Sequence, residues 1–312
     1  MNFQQLRIIR ETARRRFNLT EVSAALFTSQ SGVSKHIKDL EDELGFAMFT
    51  RRGKRLLGLT EPGREVLRYA ERILQEADNL QAVADSFARQ DEGRLVLATT
   101  HTQARYALPE IVRQFRAEFP KVHLVMHQAA PAEIVAMLDA DQADIGIATE
   151  SLSQHPGFVT FPFYRWYHGI IVPAGHPLTR LRHLTLQAIA RYPIVTYHEG
   201  FTGRTMIDQT FAAAGLAPEV CMSALDADVI KAYVALGMGV GIVASMAFDD
   251  EQDQHLRLLD ASELFRENVT LLALRRGRFL RRYVRRFVSL CVRDLSDADL
   301  QEAVSHDELR NE

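Results

Sequence analysis

Two groups of residues in this 312-residue chain have types and spacings that could do chemistry. The first is a set of hydroxyls and amides in Thr99-Thr100-His101-Thr102-Gln103, at Thr149, in Thr202-Gly203-Arg204-Thr205 and in Asp226-Ala227-Asp228-Val229-Ile230-Lys231. Thr100, Thr102, Gln103, Thr149 and Thr202 would offer neutral hydrogen-bond donors. Such donors suit a sulfate-like or carboxylate anion without the desolvation cost of a buried lysine. Any one of these threonines alone reads as a helix cap or a strand residue. Four of them at the mouth of an expected cleft point to a ligand site.

The second group lies near the N-terminus, between Leu19 and Glu41. Val33, Ile37 and Leu40 recur at helical spacing and share an inner face with Val22, Ala25 and Leu26 of the preceding segment. Gln30, Ser31, Ser34, Lys35 and Lys38 are left pointing outward. Amides and hydroxyls at the start of such a helix reach base edges in a major groove, and lysines reach phosphates or guanine. Arg51, Arg52 and Lys54 are placed to grip the DNA backbone from a basic turn. Arg14, Arg15 and Arg16 either do the same or simply complement the end of a helix dipole. The bland alternative, a three-helix unit with a solvated polar face, does not account for the agreement of pattern, spacing and charge. Residues 1–72 carry 14 Lys and Arg against 9 Asp and Glu, whereas the rest carries 23 against 31. A basic head on an acidic body suggests that the head meets a polyanion.

The elements that must hold these groups follow from periodicity. Phe3, Leu6, Ile9 and Ala13 predict a first helix. A second is expected over Leu19–Phe27 with Thr20 as N-cap, and a third from a Ser29 cap to about Leu44, ended by Gly45. A long helix is expected from about Thr60 to Ala88. Val66, Ala70, Ile73, Ala77, Leu80, Ala84 and Phe87 form an a/d heptad seam on it, opposite Arg64, Arg68, Arg72, Gln75 and Asp78. That favours coiled-coil pairing of two chains over packing in a core. After a polar hinge at Arg89–Gly93, strands at 95–99, 122–127, 143–149, 169–172, 194–197 and 241–244 alternate with helices at 106–119, 131–138, 206–214 and 228–236. The alternation predicts mostly parallel sheet with helices on both faces, in two similar halves around a cleft. The fold class is therefore α/β: a winged helix-turn-helix over 1–59, a linker helix over 60–90 and a two-lobed domain of periplasmic-binding-protein type over 91–312. Its first lobe is expected at about 94–163 and 269–293, and its second at about 164–268.

Other features exclude function classes. No apolar run reaches signal-peptide or membrane-spanning length, so a cytoplasmic protein is expected. Cys221 and Cys291 form no metal or disulfide pattern. Gly237-Met-Gly-Val-Gly241 has the wrong spacing for a dinucleotide loop and precedes a strand rather than following one. There is no phosphate-binding P-loop, no nucleophile elbow and no HExxH. His123 and His127 share a strand face, where ordinary packing is preferred to metal binding. The seven arginines between Arg275 and Arg286 are read as a solvated helix face balancing the acidic body rather than as a DNA contact.

The run Thr28-Ser-Gln-Ser-Gly-Val-Ser-Lys-His-Ile-Lys-Asp-Leu-Glu-Asp-Glu-Leu-Gly45, followed by Phe49 and Arg51, resembles that of LysR-type transcriptional regulators. So does the order helix-turn-helix, linker helix, two-lobed domain, over roughly residues 1–295. Thr99–Pro109, Gly200–Arg204 and Asp226–Lys231 are similar to the CysB and Cbl branch of that family. The resemblance implies an activator of sulfate-assimilation and cysteine-biosynthesis genes that binds double-stranded DNA. It implies sulfate held by Thr100, Thr102, Gln103, Thr149 and Thr202, with acetylserine as inducer and thiosulfate or sulfide opposing it. RNA polymerase as partner and a homodimer or homotetramer are implied as well, with no cofactor, no metal and no enzymatic activity. Two other classes fit the sequence less well. A solute-binding protein would need a signal peptide and would not need the helix-turn-helix, and a cleft enzyme would need a nucleophile, base or metal set.

Overall fold

The computed structural model describes residues 1–53, 55–88, 91–149, 151–201 and 203–305. The chain divides into two compact units, Met1–Ala88 and Arg89–Glu312.

The first unit opens with α1 (Phe3–Arg14), whose Asn2 cap and Gln5 side chain satisfy each other's backbone N–H groups. α2 spans Leu19–Ala25 and α3 spans Gln30–Leu44. Thr20 was expected to cap α2, but Asn18 does so, accepting from the N–H groups of Thr20 (3.1 Å) and Glu21 (3.4 Å). An asparagine two positions earlier takes the free donors first, because the tight turn at Arg16 and Phe17 (φ 49° and 65°) delivers the chain already aimed along the helix. α2 also stops at Ala25, two residues short of expectation, where Phe27 turns the chain with φ 50°. α3 starts at the Ser29 cap and ends at Gly45 (φ 80°), both as expected. Leu6, Ile8, Ile9, Val22, Val33, Ile37 and Leu40 bury together with Met48, Phe49 and Leu56. The last three belong to or flank an antiparallel hairpin, β1 (Phe49–Arg52) and β2 (Arg55–Leu59).

The long helix α4 runs Glu61–Ala88. Thr60 caps it, accepting from the Gly63 N–H at 3.0 Å. Gly63 must lack a side chain, since a Cβ there would stand 2.0 Å from the Met48 carbonyl oxygen. The heptad stripe is divided in its use. Ala70, with Leu74, is buried in the core of the unit, and Val66 and Leu67 pack beside them. Ile73 and Leu80 are 40% and 76% exposed, and Ala84 is exposed as well. The coiled-coil reading of the whole stripe is therefore corrected. Its first turns are spent on α1, because a helix laid along α1 presents residues at intervals of four to it. Phe87 lies among side chains outside the described residues.

The second unit holds two five-stranded sheets. The first is built from β3 (Gly93–Thr99), β4 (Val122–Gln128), β5 (Ile145–Ala148), β6 (Phe158–Trp166) and a returning β12 (Asn268–Arg275), in the order β4-β3-β5-β12-β6. The second is built from β7 (His168–Pro173), β8 (Ile194–Tyr197), β9 (Val220–Ala224), β10 (Val240–Ala244) and β11 (Leu256–Asp260), in the order β11-β7-β10-β8-β9. Helices α5 (Pro109–Glu118), α6 (Pro131–Asp139), α7 (Leu186–Ile189), α8 (Arg204–Ala213), α9 (Ala227–Ala235), α10 (Arg282–Cys291) and α11 (Asp297–Ser305) complete it. A mostly parallel sheet was expected. Each sheet meets this in strand direction: four of its five strands run one way, and a single strand, β12 in the first and β7 in the second, runs against them and makes both antiparallel pairings. β6, β11 and β12 escaped the sequence reading. They occur where the chain passes between the sheets, at Tyr167 and before Asn268, so no helix separates them from their neighbours. Apolar clusters cover both faces of each sheet.

The basic cluster near α10 is largely paired with carboxylates. Arg275 meets Asp141 and Arg278 meets Asp144, both at 2.6 Å, Arg282 meets Asp91 at 3.1 Å, Arg286 meets Glu118 at 2.5 Å, and Arg285 pairs with Asp297. The expected solvated helix face is corrected for Arg275 and Arg278, which lie ahead of α10 with side chains 19% and 27% exposed. No helix among the described residues is long and apolar enough to cross a membrane.

Candidate functional site

In the first unit α3 carries two opposite faces. Val33, Ile37 and Leu40 are at most 1% exposed. Gln30, Ser31, Ser34, Lys35 and Lys38 are all exposed, as the spacing predicted. Ser31 shares its hydroxyl with the Ser29 cap at 3.1 Å. The hairpin is tied to α3 by one carboxylate. Glu41 accepts from the backbone N–H groups of Met48 (2.8 Å) and Phe49 (3.2 Å) and from the Arg51 guanidinium (2.5 Å). Arg51, expected on the DNA backbone, is thus engaged within the unit, while Arg52 is exposed. Lys54 lies outside the described residues. A groove of about 850 Å³ beside the start of α3 is lined by Arg14, Arg15, Arg16, Arg55 and Gln30. Arg55, which follows Arg51 and Arg52 in the basic turn of the sequence, joins this groove. Phe27, missed in the sequence reading, is 98% exposed on the turn that leads into α3. The exposure of a large ring at that turn has no signal in a periodicity that assigns it to the end of α2.

In the second unit the strand end of β3 delivers a buried polar group. Thr99, Thr102 and Gln103 are fully buried and Thr100 is 3% exposed. The chain goes from β3 into a π-helical turn, Gln103–Ala107, before α5. This is one of the local irregularities that often accompany function. A single helix over 106–119 was expected. The wider turn lets Gln103 and Tyr106 point to different neighbours. Gln103 Oε1 accepts the Tyr164 hydroxyl, while Gln103 Nε2 has no partner among the described residues. The hydroxyls of Thr99 and Thr102 are likewise buried without a partner at hydrogen-bond distance. Orphaned buried donors cost about 1–3 kcal/mol each unless something fills the space.

Thr149, at the end of β5, stands 3.4 Å from Thr270 on β12, and Thr270 in turn accepts from the Trp166 indole N–H at 3.1 Å. The structure thereby brings Thr100, Thr102, Gln103 and Thr149 to neighbouring strand ends of one sheet. Thr202 lies outside the described residues. Gly203 (φ 72°) packs against the crossover between the sheets, where a Cβ would be 2.7 Å from His168 and 2.9 Å from Asn268. The start of α8 therefore meets the segment that carries Trp166 and Thr270.

The two lobes also touch through Asp228 on α9, a contact the sequence did not reveal. Tyr106 donates to Asp228 Oδ1 at 2.7 Å, and Arg105, His101 and Lys231 lie within 3.4–3.6 Å of its carboxylate. Burial raises the Asp228 pKa, but these donors, Tyr106 and Lys231 first, outweigh it and hold the carboxyl below its usual range. Burial pushes the Tyr106 phenol up. Lys231 is itself buried between Asp253 (3.0 Å) and the Ala247 carbonyl (2.9 Å). Among the described residues, His101, Asp226 and Asp228 alone cluster closely enough to share an ion, but Asp228 is already taken up by these cationic and hydroxyl donors.

Comparison with known proteins adds the following. A family model described as bacterial regulatory helix-turn-helix protein, lysR family, matches residues 3–64. One described as LysR substrate binding domain matches residues 88–296. The chain is 55% identical to the HTH-type transcriptional regulator SsuR of Burkholderia cenocepacia, over 97% of this chain and 100% of that one. It is 49% identical to the HTH-type transcriptional regulator CysB of the same organism, over 97% of each. Among solved structures, the cofactor-binding domain of the Cbl transcriptional regulator aligns with a TM-score of 0.66 at 48% identity, covering 68% of this chain and 93% of that one.

Proposed function

Because this chain belongs to the LysR family of DNA-binding transcriptional regulators, we propose that it activates genes of sulfate assimilation and cysteine biosynthesis in response to a small anion. Gln30, Ser31 and Ser34 read base edges in a major groove, Lys35 and Lys38 meet phosphates, and Arg52, Lys54 and the Arg14–Arg16 groove hold the backbone. Arg51 contributes by fixing the hairpin to Glu41. The exposed part of the α4 stripe, Ile73, Leu80 and Ala84, pairs two chains in a homodimer or a homotetramer, which places two recognition helices on a pseudo-palindromic site and brings the complex to RNA polymerase.

The effector is sulfate, thiosulfate or acetylserine, held by Thr100, Thr102, Gln103, Thr149 and Thr202. One observation carries this reading: the donors of Thr102 and Gln103 are fully buried and have no hydrogen-bond partner among the described residues. Neutral hydroxyl and amide donors of this kind bind an anion without burying a counter-charge. The ligand then shifts the balance of lobe arrangements, and with it the geometry of the dimer on DNA. Calorimetric titration of sulfate into the wild type and into Thr102→Val and Thr149→Val tests the site. We expect loss of about tenfold in affinity for each variant, as for one hydrogen bond. Unchanged affinity in both would remove it.

A further inference from the structure

The anion site proposed above is backed by a second layer of hydrogen bonds with a fixed sense. An indole N–H can only donate. Trp166, 4% exposed, gives its N–H to the Oγ1 of Thr270, which is fully buried. Thr270 is therefore an acceptor on that side and has a single proton to pass on. Among the described residues one oxygen stands ready to take it, Thr149 Oγ1 at 3.4 Å. Tyr164 donates to Gln103 Oε1, and burial pushes its phenol up, so it keeps that proton. The amide nitrogen of Gln103 is then the atom left facing the site, and it has no partner among the described residues. When the Thr270 proton goes to Thr149, the Thr149 proton is released outward as well.

We infer that Trp166, Thr270 and Tyr164 are positioning residues that orient the protons of Thr149 and Gln103 toward the ligand, so that the site selects a fully deprotonated oxyanion over one that carries its own proton. A ligand O–H would need an acceptor, whereas Thr149 and Gln103 present donors to it, and among the described residues the Asp226 and Asp228 carboxylates have partners of their own. Asp226 Oδ1 caps α9 by accepting from the Val229 N–H at 2.8 Å. Asp228 holds Tyr106, Lys231, Arg105 and His101. Sulfate and hydrogen phosphate have the same shape and, at pH 8, the same charge, and they differ in that one proton. An unmatched O–H against an inward-pointing N–H leaves both groups unpaired, which corresponds to about 10- to 100-fold in affinity.

The inference rests on the anion-site reading, and one experiment separates the two. Sodium sulfate and sodium phosphate are titrated into the full-length protein by calorimetry at pH 8. The wild type is expected to prefer sulfate by at least about tenfold. Trp166→Phe frees the Thr270 hydroxyl to accept from Thr149 and should cut the sulfate-to-phosphate ratio severalfold. Thr270→Val and Tyr164→Phe, each nearly isosteric, should do the same from the two arms and serve if the tryptophan variant fails to fold. A ratio unchanged in the folded variants, or a wild type that takes both anions equally well, overturns the polarity inference and leaves the anion site standing. A wild type that binds neither anion overturns both.

Discussion

The recognition surface on α3 and the polar strand ends of the second unit solve opposite problems. On α3 the functional groups are exposed, and the residues that position them are apolar and fully buried. Each half of that arrangement is satisfied without a partner, one by the core and one by water. At the strand ends the groups proposed to bind the ligand are themselves buried, with donors on Thr99, Thr102 and Gln103 unmatched among the described residues. Under the anion-site proposal, those strand ends are complete only with their ligand, and the unmatched donors destabilise the unit without it. The first surface can be altered at little cost to the fold. The second trades stability for affinity.

Four experiments break or sharpen this contrast. The largest effect is expected from the apolar side of α3. Ile37→Ala should cost about 2–5 kcal/mol in chemical denaturation, whereas Gln30→Ala or Ser34→Ala should leave the midpoint unchanged and weaken specific DNA binding by about 1–3 kcal/mol in a gel-shift titration. Equal loss of stability at Gln30 would erase the two-faced reading of the helix. At the strand ends the sign reverses. Thr102→Val should leave the ligand-free protein as stable or stabilise it by about 1 kcal/mol, since an orphaned hydroxyl is removed, and should abolish most of the stabilisation that sulfate confers on the wild type. A clear drop in ligand-free melting temperature would mean that the hydroxyl is satisfied after all.

A smaller effect is expected at Asp228. Its carboxyl is held below the ordinary range, so the stability it supplies is present above the unfolded value of about 3.9 and is lost as pH falls through its lower folded value. Asp228→Asn should flatten the fall in melting temperature below about pH 4. The wild-type slope retained in the variant would remove Asp228 as the tie between lobes. The smallest effect is expected in the α10 arginines. Arg285→Glu should leave the salt dependence of DNA binding unchanged, because that side chain is already paired with Asp297.

How much could be read in advance differs between the two regions for the same reason. A helix repeats every 3.6 residues, so the buried and exposed sets of α3 and its Ser29 and Gly45 limits are legible in a short stretch of chain. The elements that escaped notice, β6, β11 and β12, depend on partners a hundred residues away. β12 pairs with β6 from Asn268–Trp166 to Arg275–Phe158, and no local pattern encodes that register. The α4 stripe shows both limits at once. Its period is in the sequence, but only packing decides that Ala70 and Leu74 serve the core while Leu80 remains exposed.

The residue types alone determined that a polar helix face lies near the N-terminus and that a set of hydroxyls and amides gathers at strand ends further on, the two places proposed to carry the chemistry, because spacing and side-chain identity are local properties. Tertiary structure decided which of those groups are left without partners, that Glu41 claims Arg51, and that Trp166 stands behind Thr149 by way of Thr270. Hydrogen bonds are made between neighbours in space, and a folded chain chooses those neighbours only when distant strands meet.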